Sequence, residues 1–196
     1  MLKQGITIII AGIFLINTAF AGVTGDVKNS VNELFRIVSD KKMKTHEQER
    51  RQALKKVINA IFDYSEMSKQ SLGKHWNERT PGERHQFTDL FALLLENSYL
   101  SKIESYNNEK IVYLKETLDD NYAEIKSKIV TAKRDEYTLD YRLLSVNGTW
   151  KVYDIVIEGV SMVSNYRAQF NRVINDKGYS GLVKVLQTKT SEITAS

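Results

Sequence analysis

The chain has 196 residues, 42% of them hydrophobic, with 28 Lys+Arg against 24 Asp+Glu and a formal net charge of +4. It has no cysteine and a single proline, which excludes disulfides, a thiolate metal site, a cysteine nucleophile and a lipoprotein lipobox. The length suits one domain with a sizeable core, and there is no collagen period, acidic tail or low-complexity tract.

The N-terminal segment reads as a targeting signal rather than as structure. Lys3 supplies a positive start, Gly5–Ile16 is an apolar run, and Ala19-Phe20-Ala21 forms a small-x-small cleavage site. This pattern predicts a secretory signal peptide over residues 1–21, cut after Ala21. The run is shorter than the ~20 residues a membrane span requires. Residues 22–196 are then expected to form a single soluble domain. An exported chain without cysteine fits the bacterial periplasm, where a fold of this size needs no disulfide staples.

The first predicted helix covers roughly 26–39, with Val27, Val31, Leu34, Phe35 and Val38 on one stripe. A basic stretch follows, containing Lys41, Lys42, Lys44, Arg50, Arg51, Lys55 and Lys56. It leads into a second helix whose apolar face is Leu54, Val57, Ile58 and Ile61. Asp63 is placed as an N-cap with Glu66 at N3, opening a third helix that closes at Gly73. Thr80-Pro81-Gly82-Glu83 is a helix start with a capping box. The helix it opens carries Phe87, Leu90, Phe91, Leu94, Leu95 and Tyr99, a broader apolar face than packing on one neighbour requires.

From about residue 110 the period changes to that of strands. Ile111–Leu118, Tyr122–Thr131, Glu136–Val146 and Thr149–Glu158 are predicted strands, joined by turns at Asp119-Asp120-Asn121 and Asn147-Gly148. The Asn-Gly pair is a strong hairpin signal. The tail returns to helix, with Tyr166, Phe170, Val173 and Ile174 on a stripe that stops at Gly178, then a last helix around Leu182, Val183 and Leu186. Helices followed by a run of strands define an α+β class.

A two-residue loop pairs Val146 with Thr149 and Ser145 with Trp150. Continued without interruption, this register puts Leu139, Tyr141, Leu143, Trp150, Val152, Asp154, Val156 and Glu158 on one face. Asp140, Arg142, Leu144, Lys151, Tyr153, Ile155 and Ile157 fall on the other. Both faces carry apolar residues and a few charges, so both are expected to be covered over the far part of the hairpin. Helices on both sides would do this, and so would helices on one side with an apolar ligand cavity on the other.

Motifs for bond chemistry are missing. There is no G-x-S-x-G, P-loop, H-E-x-x-H or dinucleotide fingerprint. His46, His75 and His85 have no metal-type spacing and read as exposed or structural. Asp154 and Glu158 share a strand face, and paired carboxylates can do acid/base work. Pairing with Arg142, Arg167 or backbone amides is the more ordinary use of such residues. The basic stretch reads as a solvated helix face, with contact to an acidic partner or anionic head groups as the sharper alternative. Nucleic acid does not suit an exported protein.

Several segments resemble the MlaC (Ttg2D, toluene-tolerance) family, the periplasmic lipid-binding component of the Mla ABC transport system. These are Ile61-Phe62-Asp63-Tyr64 through Met67, Leu72-Gly73-Lys74-His75-Trp76, and Thr80-Pro81-Gly82-Glu83-Arg84 leading to Phe87, Phe91, Leu94 and Tyr99. The most specific is the block from Gly148-Thr149-Trp150 through Asp154, Glu158, Gly159, Val160, Ser161 and Met162, followed by Asn165-Tyr166-Arg167 and Phe170. The resemblance implies an NTF2-like curved antiparallel sheet, closed by N-terminal helices and a helical tail around an apolar cavity. It implies a non-enzymatic phospholipid carrier without a cofactor. Its implied partners are an outer-membrane lipoprotein complex and an inner-membrane MCE-domain ABC transporter, and its role is to maintain outer-membrane lipid asymmetry. Another amphiphile such as a hopanoid is the near alternative, and an NTF2-like enzyme on a small apolar substrate the remote one. Combining the resemblance with the apolar faces, the expected lining is Phe87, Phe91, Leu94, Leu95, Tyr141, Leu143, Val152, Val156, Val160, Met162, Val163, Tyr166 and Phe170. Arg167 is the expected head-group residue.

Overall fold

A computed structural model describes residues 22–195 of the chain, so the signal-peptide expectation for residues 1–21 lies outside the described residues. Among the described residues, four α-helices come first: α1 (Val23–Ser39), α2 (Glu47–Ile61), α3 (Tyr64–Leu72) and α4 (Pro81–Glu104). Five strands follow: β1 (Lys110–Asp119), β2 (Tyr122–Val130), β3 (Glu136–Val146), β4 (Thr149–Ile157) and the short β5 (Val160–Ser161). The chain then runs into α5 (Met162–Ala195). The strands form one sheet in sequence order, each antiparallel to the next. This is the α+β architecture expected from the order of elements.

The local signals act as the sequence implies. Thr80 Oγ1 accepts a hydrogen bond from the Glu83 amide at 3.3 Å, and the Glu83 carboxylate accepts from the Thr80 amide at 2.8 Å. That reciprocal pair satisfies two of the donors a helix start leaves orphaned. The Asp63 carboxylate accepts from the Glu66 amide at 2.9 Å and opens α3. Asn147 (φ 52°) and Gly148 (φ 78°) supply the two positive φ angles of a tight hairpin turn.

Beyond that turn the hairpin departs from the simple register. Val146 pairs with Thr149, Ser145 with Trp150 and Leu143 with Val152, but Arg142 pairs with Asp154. Tyr153 is therefore the extra residue of a β-bulge, and every side chain past it changes face. Ile155 and Ile157 join Tyr141 and Leu139 on the inner face, while Asp154 and Val156 turn to the other side with Arg142 and Asp140. The uninterrupted register expected from the sequence is corrected by this one residue. A second bulge at Leu114 separates Tyr113↔Ser127 from Lys115↔Lys126.

Three apolar clusters hold the molecule together. One joins α3, α4 and α5 through Met67, Leu72, Phe87, Phe91, Phe170 and Leu182. A second packs the first turns of α1 on the inner sheet face, with Val23, Val27, Val31, Ile125, Tyr141, Leu143 and Val152. A third joins the end of α1 to α2 and the end of α4 through Leu34, Ile37, Leu54, Ile58 and Leu100. Ion pairs reinforce the last contact: Arg50 lies 2.9 Å from Glu104 and Lys55 lies 3.1 Å from Glu96.

Candidate functional site

Where the three clusters meet, their side chains leave a cavity of about 480 Å³. This lies within the ~300–1,000 Å³ usual for ligand pockets. Helix α1 contributes Val31, Leu34 and Phe35, α2 contributes Ile58 and Ile61, and Phe62 leads to Tyr64 and Met67 of α3. Helix α4 adds Leu95, Tyr99, Leu100 and Ile103, and the sheet forms the floor through Ile111, Ile129, Leu139, Tyr141, Ile155 and Ile157. Met162, the first residue of α5, closes one corner. The bulge at Tyr153 matters here, because it is what brings Ile155 and Ile157 to the floor.

The polar residues in the lining are few. Glu96 is held by Lys55 at 3.1 Å. The Tyr64 hydroxyl donates to Asn59 Oδ1 at 3.1 Å, and burial together with the Glu96 charge holds its pKa above the ordinary phenol value. Burial raises Tyr141 in the same direction. Both therefore remain neutral at physiological pH.

The mouth can be located from exposure and register. Lys102, Ser105 and Ile157 are exposed lining residues, with Glu109 and Thr131 partly exposed beside them. These surround the end of the sheet where β1 and β3 begin and β2 and β4 end. Lys102 lies over the Tyr99 ring at 5.1 Å, which leaves its ammonium at the opening.

Among the residues expected to line a cavity, Leu95, Tyr141 and Met162 border this one. Phe87, Phe91, Leu94, Val163 and Phe170 instead fill the α3–α4–α5 core, with Tyr166 packed against it, and Phe91 meets Tyr166 and Phe170 edge-on. Leu143 and Val152 are fully buried under α1. Val156 is turned to the far face by the bulge, and Val160 is 61% exposed at the sheet edge. Arg167 is not at the mouth. Its Nε donates to the Gln70 carbonyl at 2.6 Å, satisfying an orphan acceptor in the last turn of α3.

The other residues singled out in the sequence have structural partners. The Asp154 carboxylate, 2% exposed, accepts from Ser161 Oγ at 2.6 Å, the Val163 amide at 3.0 Å and Arg142 at 3.1 Å. Glu158 accepts from the Thr138 hydroxyl and amide, so the two carboxylates do not form a pair. His75 is buried with Nδ1 3.4 Å from Glu78, and His85 meets Asp89 on the surface. No group of three or more His, Cys, Asp or Glu that could hold a metal occurs among the described residues, and no described helix is long and apolar enough to cross a membrane.

Fold and site together define a small α+β protein built around an apolar cavity with a charged mouth. The chain belongs to the MlaC protein family, whose sequence model matches residues 28–188. It is 30% identical over 126 residues to the intermembrane phospholipid transport system binding protein MlaC of Haemophilus influenzae. That match covers 62% of this chain and 59% of the relative's length. Toluene tolerance protein ttg2D of Pseudomonas putida is 23% identical over 182 residues, covering 91% of this chain and 85% of that protein. A phospholipid-binding protein from Ralstonia solanacearum, solved in complex with a phospholipid, superposes with a TM-score of 0.77 at 26% identity. The superposition covers 86% of this chain and 97% of that one.

Proposed function

We propose that this protein is a periplasmic phospholipid carrier that takes acyl chains into the cavity and leaves the head group at the mouth. The observation that carries this reading is the cavity itself. Unfilled apolar volume costs ~24 cal/mol per Å³ in enclosed cavities. For 480 Å³ the upper bound is about 12 kcal/mol, comparable with the ~5–15 kcal/mol net stability of a whole domain. An opening to solvent lowers that figure, but an acyl chain removes the cost directly and gains ~0.8 kcal/mol per methylene withdrawn from water. The names of the relatives support the same ligand class: one belongs to a phospholipid transport system and the Ralstonia protein was solved with a phospholipid bound.

Leu95, Tyr141 and Met162 contact acyl chain in this reading, together with the sheet floor at Ile129, Leu139 and Ile155. Lys102 is the cation placed to meet a phosphate. The carrier does no bond chemistry and uses no cofactor. It exchanges cargo between an outer-membrane lipoprotein complex and an inner-membrane MCE-domain ABC transporter. The test is transfer of a labelled phospholipid from vesicles to the purified protein. The parent should acquire label, and Ile129→Trp, which inserts an indole through the floor, should acquire at least tenfold less. Equal labelling of the two proteins would contradict the cavity as the binding site.

A further inference from the structure

The basic stretch of the sequence is not consumed by the fold. Residues 40–56 carry seven Lys/Arg against three Asp/Glu, whereas residues 22–196 as a whole carry 27 against 24. The positive surplus of the chain therefore sits in this one corner. Arg50, Arg51 and Lys55 are spent on Glu104 and Glu96. Lys41, Lys42 and Lys44 are exposed and make no ion pair among the described residues.

The position of that corner follows from the helix directions. Helix α1 begins beside β1 near its far end, where Thr24 donates to Glu116 at 2.7 Å from its amide. Helix α2 ends at the opposite side of the sheet from the mouth, where Phe62 bridges Val152 and the Asp63 amide donates to the Val152 carbonyl at 2.9 Å. The turn joining α1 to α2 therefore overhangs the mouth end. The Arg50–Glu104 pair fixes it next to the last turn of α4, which carries Lys102. On the sheet side of the same opening, Tyr137 is 47% exposed, Ile157 42% and Val160 61%. Tyr137 pairs with Ile129 of the floor, and Val160 pairs with Ile157.

We propose that the mouth is rimmed by an anionic-membrane docking face, with Lys41, Lys42, Lys44 and Lys102 on the helix side and Tyr137, Ile157 and Val160 on the sheet side. Unpaired lysines are attracted to an anionic head-group layer. Exposed aromatic and aliphatic side chains beside them suit the interface below it. An acidic protein surface would match the lysines but would give no reason for the exposed Tyr137, Ile157 and Val160. Docking this face sets the cavity opening against the bilayer, so that an acyl chain passes without crossing water.

The test is flotation of the purified protein with vesicles of phosphatidylcholine alone and of phosphatidylcholine with phosphatidylglycerol. The protein should float with the anionic vesicles only, and added salt should weaken this. Each lysine near such a surface contributes roughly fivefold, so the triple variant Lys41→Ala, Lys42→Ala, Lys44→Ala should lose on the order of 100-fold in partitioning. The matching triple Lys→Arg variant should retain it. Val160→Asp should weaken binding severalfold, and circular dichroism confirms that each variant is folded. Undiminished flotation of the triple alanine variant overturns the proposal. So does failure of the parent to bind anionic vesicles, which would transfer the lysines to an acidic protein partner. Ile129→Trp should still float, so loss of docking and loss of lipid uptake are separate results.

Discussion

Asp154 shows how a conspicuous charge serves the fold. Its carboxylate joins β4, β5 and the start of α5 by accepting from Arg142, Ser161 and the Val163 amide. Removing it strands a cation and two donors, although Arg142 is 40% exposed and water can reach it. Asp154→Ala is expected to lower stability by about 2–3 kcal/mol, measured by urea unfolding. Tyr113 presents the opposite case: its buried hydroxyl makes no hydrogen bond among the described residues. Tyr113→Phe is expected to be neutral or stabilising by up to ~1 kcal/mol. Burial pushes the Tyr113 and Tyr166 phenols up to about 12, against an ordinary value of 10. The unfolded chain then releases these protons first, so their contribution to stability is intact below pH 10 and falls between about pH 10 and 12. Urea midpoints should decline over that window, less steeply in Tyr113→Phe and Tyr166→Phe than in the parent. Single residues were also where sequence reading was least able to find roles. Nothing near Arg167 indicates that its guanidinium reaches the Gln70 carbonyl, because that contact depends on how α5 lies against α3.

At the scale of elements, signals contained within a few residues could be read. The Thr80 capping box, the Asp63 cap and the Asn147-Gly148 turn each act through neighbours in the chain, so their chemistry is visible in the string. The bulge at Tyr153 is not visible in this way. Its Val-Tyr-Asp-Ile setting alternates like an ordinary strand, and only the burial of Asp154 under α5 and of Ile155 over the cavity fixes the slip. Helix α4 was misleading for a related reason. Its broad apolar face serves two pairs of neighbours in succession: Phe87 and Phe91 join α3 and α5, while Leu100 joins α1 and α2. Periodicity reports that a face is covered and is silent about what covers it. The same ambiguity hid Leu34, Phe35, Ile58 and Ile155, which were legible as apolar positions but not as cavity wall. In α5, Gly178 has φ 71° and ψ 177°, a region open essentially to glycine alone, and it divides the helix into two segments. Gly178→Ala is expected to cost about 1–3 kcal/mol, readable as a lowered melting temperature.

At the scale of the molecule, the arrangement separates stability from binding. The α3–α4–α5 cluster is filled with aromatic side chains, three of them (Phe91, Tyr166, Phe170) in mutual contact. The cavity instead lies between α1, α2, the end of α4 and the sheet, whose packing is incomplete without a further apolar body. A substitution at Ile129, a floor residue outside the three buried clusters, should therefore change ligand content with little loss of fold. The most direct measurement is native mass spectrometry of the protein purified without detergent from its native cells, compared with Ile129→Trp purified in parallel. The account expects the parent to carry a stoichiometric phospholipid and the variant, equally folded by circular dichroism, to run at the mass of the bare chain. A parent found only at the bare mass, and taking up no phospholipid from vesicles, would contradict it.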